Sequence, residues 1–600
     1  MARIRWSRPP MPRSQMTMFS LEDALPANDP IRLFDQLLDQ IDWTDWENHH
    51  QRRSGQPPIH PRLVAGAILY GLAHGLRSSR QLERATRTRL DLMWLLEGRT
   101  IDYSTFCLFR NNHAGRLGGL FDQLARVASA GVAGAGRNVA VDGTRARANS
   151  DRHGARTAAK LTEQLEALAS QKQRLLEQMD QRDAIDSADE ALDAPAGETP
   201  QQMARQLERL EAEQAKMKRA LEVANERDAL KRHKDGRAAT AVRVPVTDPD
   251  STVMPHKEGG YGPNYTATAA VDEASGVILD GRVVEGSQET AAIMPALEAT
   301  ERIVGRRPEA LMADGGFTSG AVLEDLEQAG VTLLAPAPAP VDPAVARPDP
   351  TVAVPEEAIE RLPMNGRGDK RRLSARAFVY CNEEDVYYCP QGRVLRPEGG
   401  QTRDKSGRTI QRYRCEDCAG CPLAARCLSG AGARRWLSRD QYQELRDELS
   451  LRMSREPEQA LYRRRAPVGE GPFGIIKHVM GVRQFYYRGR SKVGAEWCWI
   501  CMGFNVIKFL RRRQAEAARL GPDGDPRRPR RAKRSSRRGK KAAARGKEAA
   551  ARGKKSINGR FLVPIGFAME SLCRWMGPIC HCLTKLAPPR ADTILPGFST

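Results

Sequence analysis

Three acidic residues occur in short segments that suit metal-dependent chemistry: Asp142 in RNVAVDGTRAR, Asp314 in LMADGGFTSG and Glu470 in VGEGPFGIIK. Val139 and Val141 alternate before Asp142, which predicts a buried strand that ends at this carboxylate. The run before Asp314 has the same form, whereas Glu470 leads into a helical pattern. Mg²⁺ is held in proteins by carboxylate oxygens together with substrate phosphate oxygens. The pattern therefore predicts a two-metal phosphoryl-transfer site, although an Asp-Gly pair after an apolar run also suits an ordinary turn.

Cysteines form a second cluster, because six of the twelve fall between Cys381 and Cys427. The run CEDCAGCPLAARC places thiols two residues apart, and thiolates at this spacing can converge on one tetrahedral Zn²⁺ at about 2.3 Å. An Fe–S cluster uses the same ligands, and a set of ordinary reduced cysteines is the plainer alternative. Four thiolates around one ion leave no open coordination position, so the predicted role is structural. The predicted ligands are Cys415, Cys418, Cys421 and Cys427, with Cys389 from a preceding hairpin.

The composition predicts a polyanionic partner. The chain has 600 residues, a formal net charge of +21 and an isoelectric point near 9.7, as is typical of proteins that bind nucleic acid. No apolar stretch follows the basic residues at the N-terminus, so no secretory signal is expected. The most apolar run near the C-terminus, residues 561–583, is interrupted by charges and prolines, which argues against a membrane span.

The elements that must position the acidic residues are predicted to be a mixture of helices and strands. Residues 30–130 show helical spacing, and apolar stripes on both sides of residues 183–200 predict two antiparallel helices. Strand-like alternation returns in residues 264–286 and 310–317, which predicts a mixed α/β domain whose strands meet at one acidic end. Four arginines of the first helical region suit either a DNA-facing or a solvated surface. They are Arg77, Arg80, Arg84 and Arg110.

Taken in this order, the motifs resemble the bacterial insertion-sequence transposases of the DDE group, in the branch that carries a cysteine-rich module before the catalytic glutamate. The resemblance covers the sequence from about residue 15 to residue 512. It includes PPIHPRLVAGAILYGLAHGLRSSRQLE, IDYSTFCLFR, VAVDGTRARANS, TDPDSTVM, LMADGGF, CEDCAGCPLAARC and EGPFGIIKHVMGVRQFYYRGRSKVGAE. The resemblance implies an α/β fold with a ribonuclease-H-like mixed-sheet core. It also implies that Asp142, Asp314 and Glu470 form the catalytic, metal-binding triad.

The glutamate of the triad must be chosen between Glu470 and Glu496. Related transposases carry a Tyr, Arg, Glu, Lys pattern in which the lysine follows the glutamate by seven positions. Glu470 has Lys477 at that offset, whereas Glu496 has Gly503. Seven residues are about two helical turns, so Lys477 would project from the same face and contact the DNA phosphate. This spacing favours Glu470.

The arginine of that pattern fits the sequence less well. The expected position, four residues before the glutamate, is Ala466, and Arg465 lies one residue away. Pro467 and Gly469 weaken any helix before Glu470. Either the helix begins at the glutamate or the match has slipped by one residue.

The resemblance and the composition together divide the chain into seven parts. These are a helical, DNA-binding N-terminal domain (15–130), the first part of the catalytic core (136–336) with a helical hairpin insertion (156–236), a Pro/Ala-rich linker (337–375), a cysteine-rich metal-binding module (376–430), the last part of the core (431–512), a basic low-complexity segment (513–558) and a C-terminal segment of unassigned role (559–600).

The implied function is metal-dependent cleavage at insertion-sequence ends followed by strand transfer into target DNA. The implied cofactors are Mg²⁺ or Mn²⁺ at the triad and a structural Zn²⁺ at the cysteines. The implied partners are double-stranded DNA, as terminal inverted repeats and as target, and a second copy of the chain. No membrane is expected. The implied location is the bacterial cytoplasm, at the nucleoid. Two alternatives stay open, namely a non-catalytic DNA-binding protein derived from a transposase and a nuclease without strand transfer. The predicted DNA contacts are Lys477, Arg145, Arg147 and Arg110.

Overall fold

The described part of the chain begins with a group of packed helices. The most deeply buried of them, α4, starts at Pro61, whose fixed φ suits the first helical position, and the ring of His60 accepts a hydrogen bond from the Arg62 N–H. The computed structural model describes residues 20–50, 58–186, 199–235, 241–255, 259–286, 288–338, 347, 349–367, 371–404, 407–430 and 434–520. The first helices are α1 Leu21–Ala24, α2 Pro30–Leu38, α3 Thr44–His50, α4 Pro61–Ala73, α5 Ser79–Thr88, α6 Leu90–Leu95, α7 Tyr103–Asn112 and α8 Leu117–Ser129.

A mixed six-stranded sheet follows the helices. The strand β1 pairs antiparallel with β5 on one side and parallel with β7 on the other, and β7 pairs parallel with β8. The strands β4 and β6 pair antiparallel with successive parts of β5. The strands of this sheet are β1 Asn138–Arg147, β4 Thr252–Pro255, β5 Tyr261–Asp272, β6 Ile278–Val284, β7 Ala310–Met312 and β8 Thr332–Leu334, and the short pair β2 Ala155–Arg156 and β3 Val244–Pro245 lies outside it.

Helices cover both faces of this sheet. Val139 and Val141 belong to the main hydrophobic core together with the side chains of α11, whereas Ala140 belongs to a smaller apolar cluster with Met312 and Leu334. Tyr462 and Val468, from the last part of the fold, pack on that second cluster. The helices concerned are α11 Ile293–Val304, α12 Gly320–Gln328, α14 Gln443–Arg452, α15 Glu456–Tyr462 and α16 Gly471–His478.

The last described helix, α17 (Arg490–Leu520), joins the sheet to the N-terminal helices. It contacts β6 on one side and α2, α4 and α8 on the other, and Trp497 and Phe504 are fully buried. Residues 490–519 have the length and apolar composition of a membrane span, but 78% of their most apolar window is buried inside the fold. The apolar composition of α17 is therefore accounted for by its place in the core.

Two long helices stand between β2 and β3. They are α9 (Ala158–Asp186) and α10 (Pro200–Asp235), and they pack against each other. Leu161, Leu168 and Met217 are buried in this contact, as expected for apolar stripes at helical spacing.

The cysteines lie in a second sheet with its own apolar core around Leu395 and Tyr413. Residues 337–375 are expected to be an extended linker, yet Val354 and Leu362 are buried in this core because a 3-10 turn at Glu356–Arg361 directs apolar side chains inward. The strand order is β11-β12-β13-β15-β14, with β16 also paired to β15. The elements of this module are β9 Met364–Asn365, β10 Arg372–Leu373, β11 Val379–Cys381, β12 Val386–Tyr388, β13 Val394–Pro397, β14 Thr402–Arg403, β15 Thr409–Cys415, α13 Ala424–Cys427 and β16 Trp436–Asp440.

The mixed α/β architecture agrees with the sequence, with one correction at the site. The strand expected to end at Asp142 continues for five more residues to Arg147, because β5 remains paired with it along this length. Residues 513–520 continue α17. The rest of the basic segment 513–558 and the segment 559–600 lie outside the described residues.

Candidate active site

Two of the predicted carboxylates lie at matched positions, each two residues beyond the last pair of two neighbouring parallel strands. Ala140 of β1 pairs with Met312 of β7, and two residues further along each chain are Asp142 and Asp314. The pairing of β1 with β7 ends before these residues, so the backbones separate there while β1 stays paired with β5. The edge at which parallel strands end is a common place for a functional site in α/β proteins.

Asp142 is the more buried of the two aspartates. Its side chain is 9% exposed, and it accepts a hydrogen bond of 2.9 Å from the Gly143 N–H. Burial raises the pKa of Asp142, and the negative charges of Asp314 and Glu470 raise it further. Asp314 is half-buried and caps a 3-10 turn at Gly315–Phe317 by accepting from the Gly316 N–H at 2.8 Å. Three carboxylates that are far apart in the sequence therefore lie within electrostatic reach of one another.

Arg465 connects Asp142 to Glu470. Its guanidinium nitrogens lie 3.2 Å from Asp142 Oδ1 and 3.5 Å from Glu470 Oε1. The Arg465 side chain is 11% exposed and that of Glu470 63% exposed, so the glutamate faces solvent. The Tyr462 hydroxyl also pairs with Arg465, and burial raises the pKa of this tyrosine. Arg465 thus supplies positive charge between acidic groups in a largely water-excluded place.

The one-residue offset in the sequence pattern is explained by a π-helical turn at Ala466–Glu470. Pro467 has no N–H to donate to the carbonyl four residues earlier, and its ring crowds that carbonyl, so the regular helix widens here. The turn holds one extra residue, which keeps Arg465 and Glu470 on the same side although they are five positions apart. Gly469 lets the turn approach β1, since a Cβ there would lie 3.3 Å from Asp142 Cβ.

The predicted DNA-contact residues have different surroundings. Lys477, in the last turn of α16, donates to Thr144 Oγ1 and to the Arg145 carbonyl, which places its ammonium group two residues along β1 from Asp142. Arg145 and Arg147 are exposed on the face of β1 that is opposite to the side chains of Asp142 and Thr144. Arg110 lies deeper, because its guanidinium donates to the Arg77 carbonyl at 3.1 Å and burial lowers its pKa. A DNA contact by each of these four residues remains a prediction.

Glu496 has a structural environment. It is buried, its carboxylate lies 3.1 Å from the Arg77 guanidinium, and it accepts hydrogen bonds from the N–H groups of Tyr486 and Tyr487. Burial raises the pKa of Glu496, and these donors oppose the effect. The contact fastens the N-terminal helices to the chain before α17, which accounts for Glu496 without a catalytic role.

The structure also brings Glu289 to the acidic edge, although no motif in the sequence marks this residue. Glu289 begins a 3-10 turn between β6 and α11. Burial raises the pKa of the Glu289 carboxyl, and the charges of Asp314 and Asp142 add to this effect. Within the described residues, no three His, Cys, Asp or Glu side chains are arranged closely enough to hold a metal ion as they stand.

The five cysteines predicted as metal ligands line one small cavity in the second sheet domain. The thiols of Cys389, Cys415 and Cys418 are hydrogen-bonding neighbours. The Gln391 N–H points at Cys389 Sγ at 3.4 Å, a contact that suits a thiolate acceptor. The members are Cys389, Cys415, Cys418, Cys421 and Cys427.

Two models of known protein families match parts of the chain. The family model described as a transposase DDE domain matches residues 388–510, and the model described as a transposase domain matches residues 19–112. The two matches indicate an insertion-sequence transposase of the DDE group. In this transposase the region matched by the DDE-domain model contains Glu470, Lys477 and all five predicted cysteine ligands, whereas Asp142 and Asp314 lie between the two matched regions. No curated protein and no solved structure matches the chain.

Proposed function

We propose that this transposase is an active enzyme that cleaves DNA at the ends of an insertion sequence and joins the freed 3′ ends to target DNA. The observation that carries the proposal is the contact of Arg465 with both Asp142 and Glu470, since it brings the predicted glutamate to the edge where the two aspartates lie. Asp142, Asp314 and Glu470 are the proposed catalytic carboxylates.

The proposed core fold is ribonuclease-H-like. Support comes from the strand order, in which β6, β5 and β1 form an antiparallel meander and β7 and β8 then add in parallel on the far side of β1. Asp142 lies on the central strand β1, and Asp314 lies two residues after the end of its parallel neighbour β7. The chain inserts the cysteine module between β8 and α14 of this core.

The proposed cofactor at the acidic edge is Mg²⁺ or Mn²⁺. Asp142, Asp314 and Glu470 offer hard oxygen donors, which fit these ions, and their mutual repulsion is the kind that a divalent cation relieves. When bound there, the ions would lower the pKa of an attacking water or hydroxyl and neutralise charge on the phosphate. Arg465 would hold Glu470 near Asp142, and Lys477 and Arg145 would supply positive charge for the DNA backbone.

The proposed partner is double-stranded DNA, as terminal inverted repeats and as target, with two copies of the chain holding two ends. The net charge of +21 supports a polyanionic partner. The proposed role of the cysteine module is to bind a structural Zn²⁺, because its thiols share one cavity and the backbone directs an N–H toward Cys389 Sγ.

One experiment separates the proposed activity from the two alternatives. Purified full-length protein is incubated with Mg²⁺, labelled element-end duplex and supercoiled plasmid, and the products are resolved on denaturing and native gels. A transposase yields nicked ends and also end DNA joined to plasmid. A nuclease yields only the nicked ends, and a DNA-binding derivative yields a shifted duplex that is intact; either of the last two results overturns the proposal.

A further inference from the structure

The strand that carries Asp142 has a glycine where the fold does not require one for its backbone. Gly143 lies inside β1, paired with Thr268 of β5, and it does not have a positive φ. Glycine in a strand interior costs about 0.5–1 kcal/mol relative to alanine and often marks a close approach of another group. A close approach of another group to β1 would account for Gly143.

That space is filled by the Glu289 carboxylate. A Cβ at position 143 would lie 2.6 Å from Glu289 Oε1 and 2.7 Å from its Cδ, distances at which one of the two groups has to move. The 3-10 turn that begins with Glu289 also contacts the turn that Asp314 caps. Gly143 thus allows an acidic side chain to lie directly against the strand of Asp142.

The Glu289 carboxylate has little to compensate its charge. It is half-buried, and in the described parts of the chain no hydrogen bond or ion pair reaches it. Asp314 and Asp142 act on it with the same sign of charge, and Arg145 opposes them more weakly. Placing such a group beside two other carboxylates is unfavourable unless a cation joins them.

Glu289 also approaches the edge from the opposite side to Glu470. Successive side chains of a strand point to opposite faces, so the Asp142 side chain shares a face with Ala140 and with the π turn, whereas position 143 faces the turn of Glu289. The charges of Asp142 and Asp314 act on Glu289, and the charge of Glu470 acts on Asp142. A cation at this edge would meet oxygen donors from both faces of the sheet.

We propose that Glu289 is a fourth carboxylate of the divalent-cation site, binding Mg²⁺ or Mn²⁺ together with Asp142 and Asp314. This role rests on the proposed metal-dependent transfer. Glu289 would add to the triad a residue from the segment between β6 and α11. The absence of a side chain at Gly143 leaves the space that the Glu289 carboxylate occupies.

The test measures Mn²⁺ binding by the full-length protein without DNA, from the loss of the free-ion electron paramagnetic resonance signal. Glu289→Gln keeps the shape of the side chain and removes its charge, and it is expected to weaken Mn²⁺ binding by about ten- to a hundredfold. Glu298→Gln removes an exposed charge from α11 and is the matched control, with binding unchanged. Gly143→Ala, which displaces the carboxylate without removing it, is expected to weaken binding as well.

The outcomes distinguish this proposal from the one on which it rests. If Glu289→Gln binds Mn²⁺ like the wild type while Asp142→Asn does not, Glu289 is no ligand and the proposed function stands. If Asp142→Asn also binds normally and still cleaves DNA, the proposed function itself is lost. Should Glu289→Gln fail to fold by circular dichroism, Glu289→Asp keeps the charge at a shorter reach, and binding equal to the wild type in that folded variant contradicts the required geometry.

Discussion

Arg465 lies 3.2 Å from the Asp142 carboxylate, and this contact ties the helical segment after the cysteine module to the central strand of the sheet. Glu470 is held on the other side of the same guanidinium at 3.5 Å. The contact depends on the π turn at Ala466–Glu470. This turn holds one extra residue, which accounts for the one-residue difference from the spacing in related transposases.

Glu470 and Glu496 should respond in opposite ways to substitution by alanine. Glu496→Ala removes the partner of a buried arginine and the acceptor of two backbone N–H groups, so the free energy of unfolding should fall by about 3–5 kcal/mol. Glu470→Ala changes an exposed side chain and should alter stability by less than about 0.5 kcal/mol, yet it should abolish cleavage. Urea unfolding and single-turnover cleavage measure the two effects. A stable, inactive Glu496→Ala protein would reverse the assignment.

Gly469 should be sensitive to a single methyl group. In Gly469→Ala the new Cβ would lie 3.3 Å from Asp142 Cβ and 3.6 Å from Ala140 Cβ, so the π turn must shift and the cleavage rate should fall by roughly tenfold. Gly474→Ala, in α16, is the matched control because its Cβ would meet no atom within 4 Å. That control should gain about 0.5–1 kcal/mol of stability and keep its rate. Equal rates in the two variants would show that the approach of the turn is unimportant.

The cysteine module should lose its fold when its metal is removed. The protein as purified is expected to contain one zinc per chain by atomic absorption, and Cys415→Ser should reduce this content and unfold the module, since structural zinc and folding are coupled. The matched control is Cys381→Ser, because Cys381 lies at the end of β11 and does not line the cavity. Limited proteolysis reports the unfolding. A zinc-free wild-type protein that resists proteolysis would contradict the assignment.

Asp102 should make the stability of α7 depend on pH in the acid range. Its carboxylate caps this helix by accepting from the Thr105 N–H, and hydrogen bonds from Ser104 and Thr105 lower its pKa from 3.8 to about 2. Because the folded-state pKa is below the unfolded one, the stabilisation is present above pH 3.8 and is lost as the pH falls toward 2.

Asp102→Ala should therefore cost about 0.5–1 kcal/mol at pH 6, a small effect because the group is exposed. The difference from the wild type should shrink as the pH falls below 3.8. Asp102→Asn keeps a capping oxygen and should show a smaller loss at pH 6. Thermal unfolding between pH 6 and pH 3 provides the comparison. A stability difference between wild type and Asp102→Ala that grows as the pH falls would contradict the prediction.

The sequence-based predictions for the candidate site rest on local patterns. Asp142 and Asp314 follow apolar runs, and Lys477 marks Glu470 by its spacing. The contact of Arg465 was not predictable, because the π turn depends on Pro467 and on packing against β1. Glu289 follows no apolar run and no motif, so only the fold brings it to the acidic edge. The strand length beyond Asp142 was mispredicted because pairing with β5 overrides the turn tendency of Asp-Gly.

The central claim is that Asp142, Asp314 and Glu470 act together on DNA. Its most direct measurement is the single-turnover rate of Mg²⁺-dependent cleavage of an element-end duplex by the wild type, Asp142→Asn, Asp314→Asn and Glu470→Gln, with Glu298→Gln as control. Each of the three triad variants should fold normally, bind the duplex and cleave at least about a hundredfold more slowly than the wild type, while the control keeps its rate. Cleavage by Asp142→Asn at the wild-type rate would contradict the account.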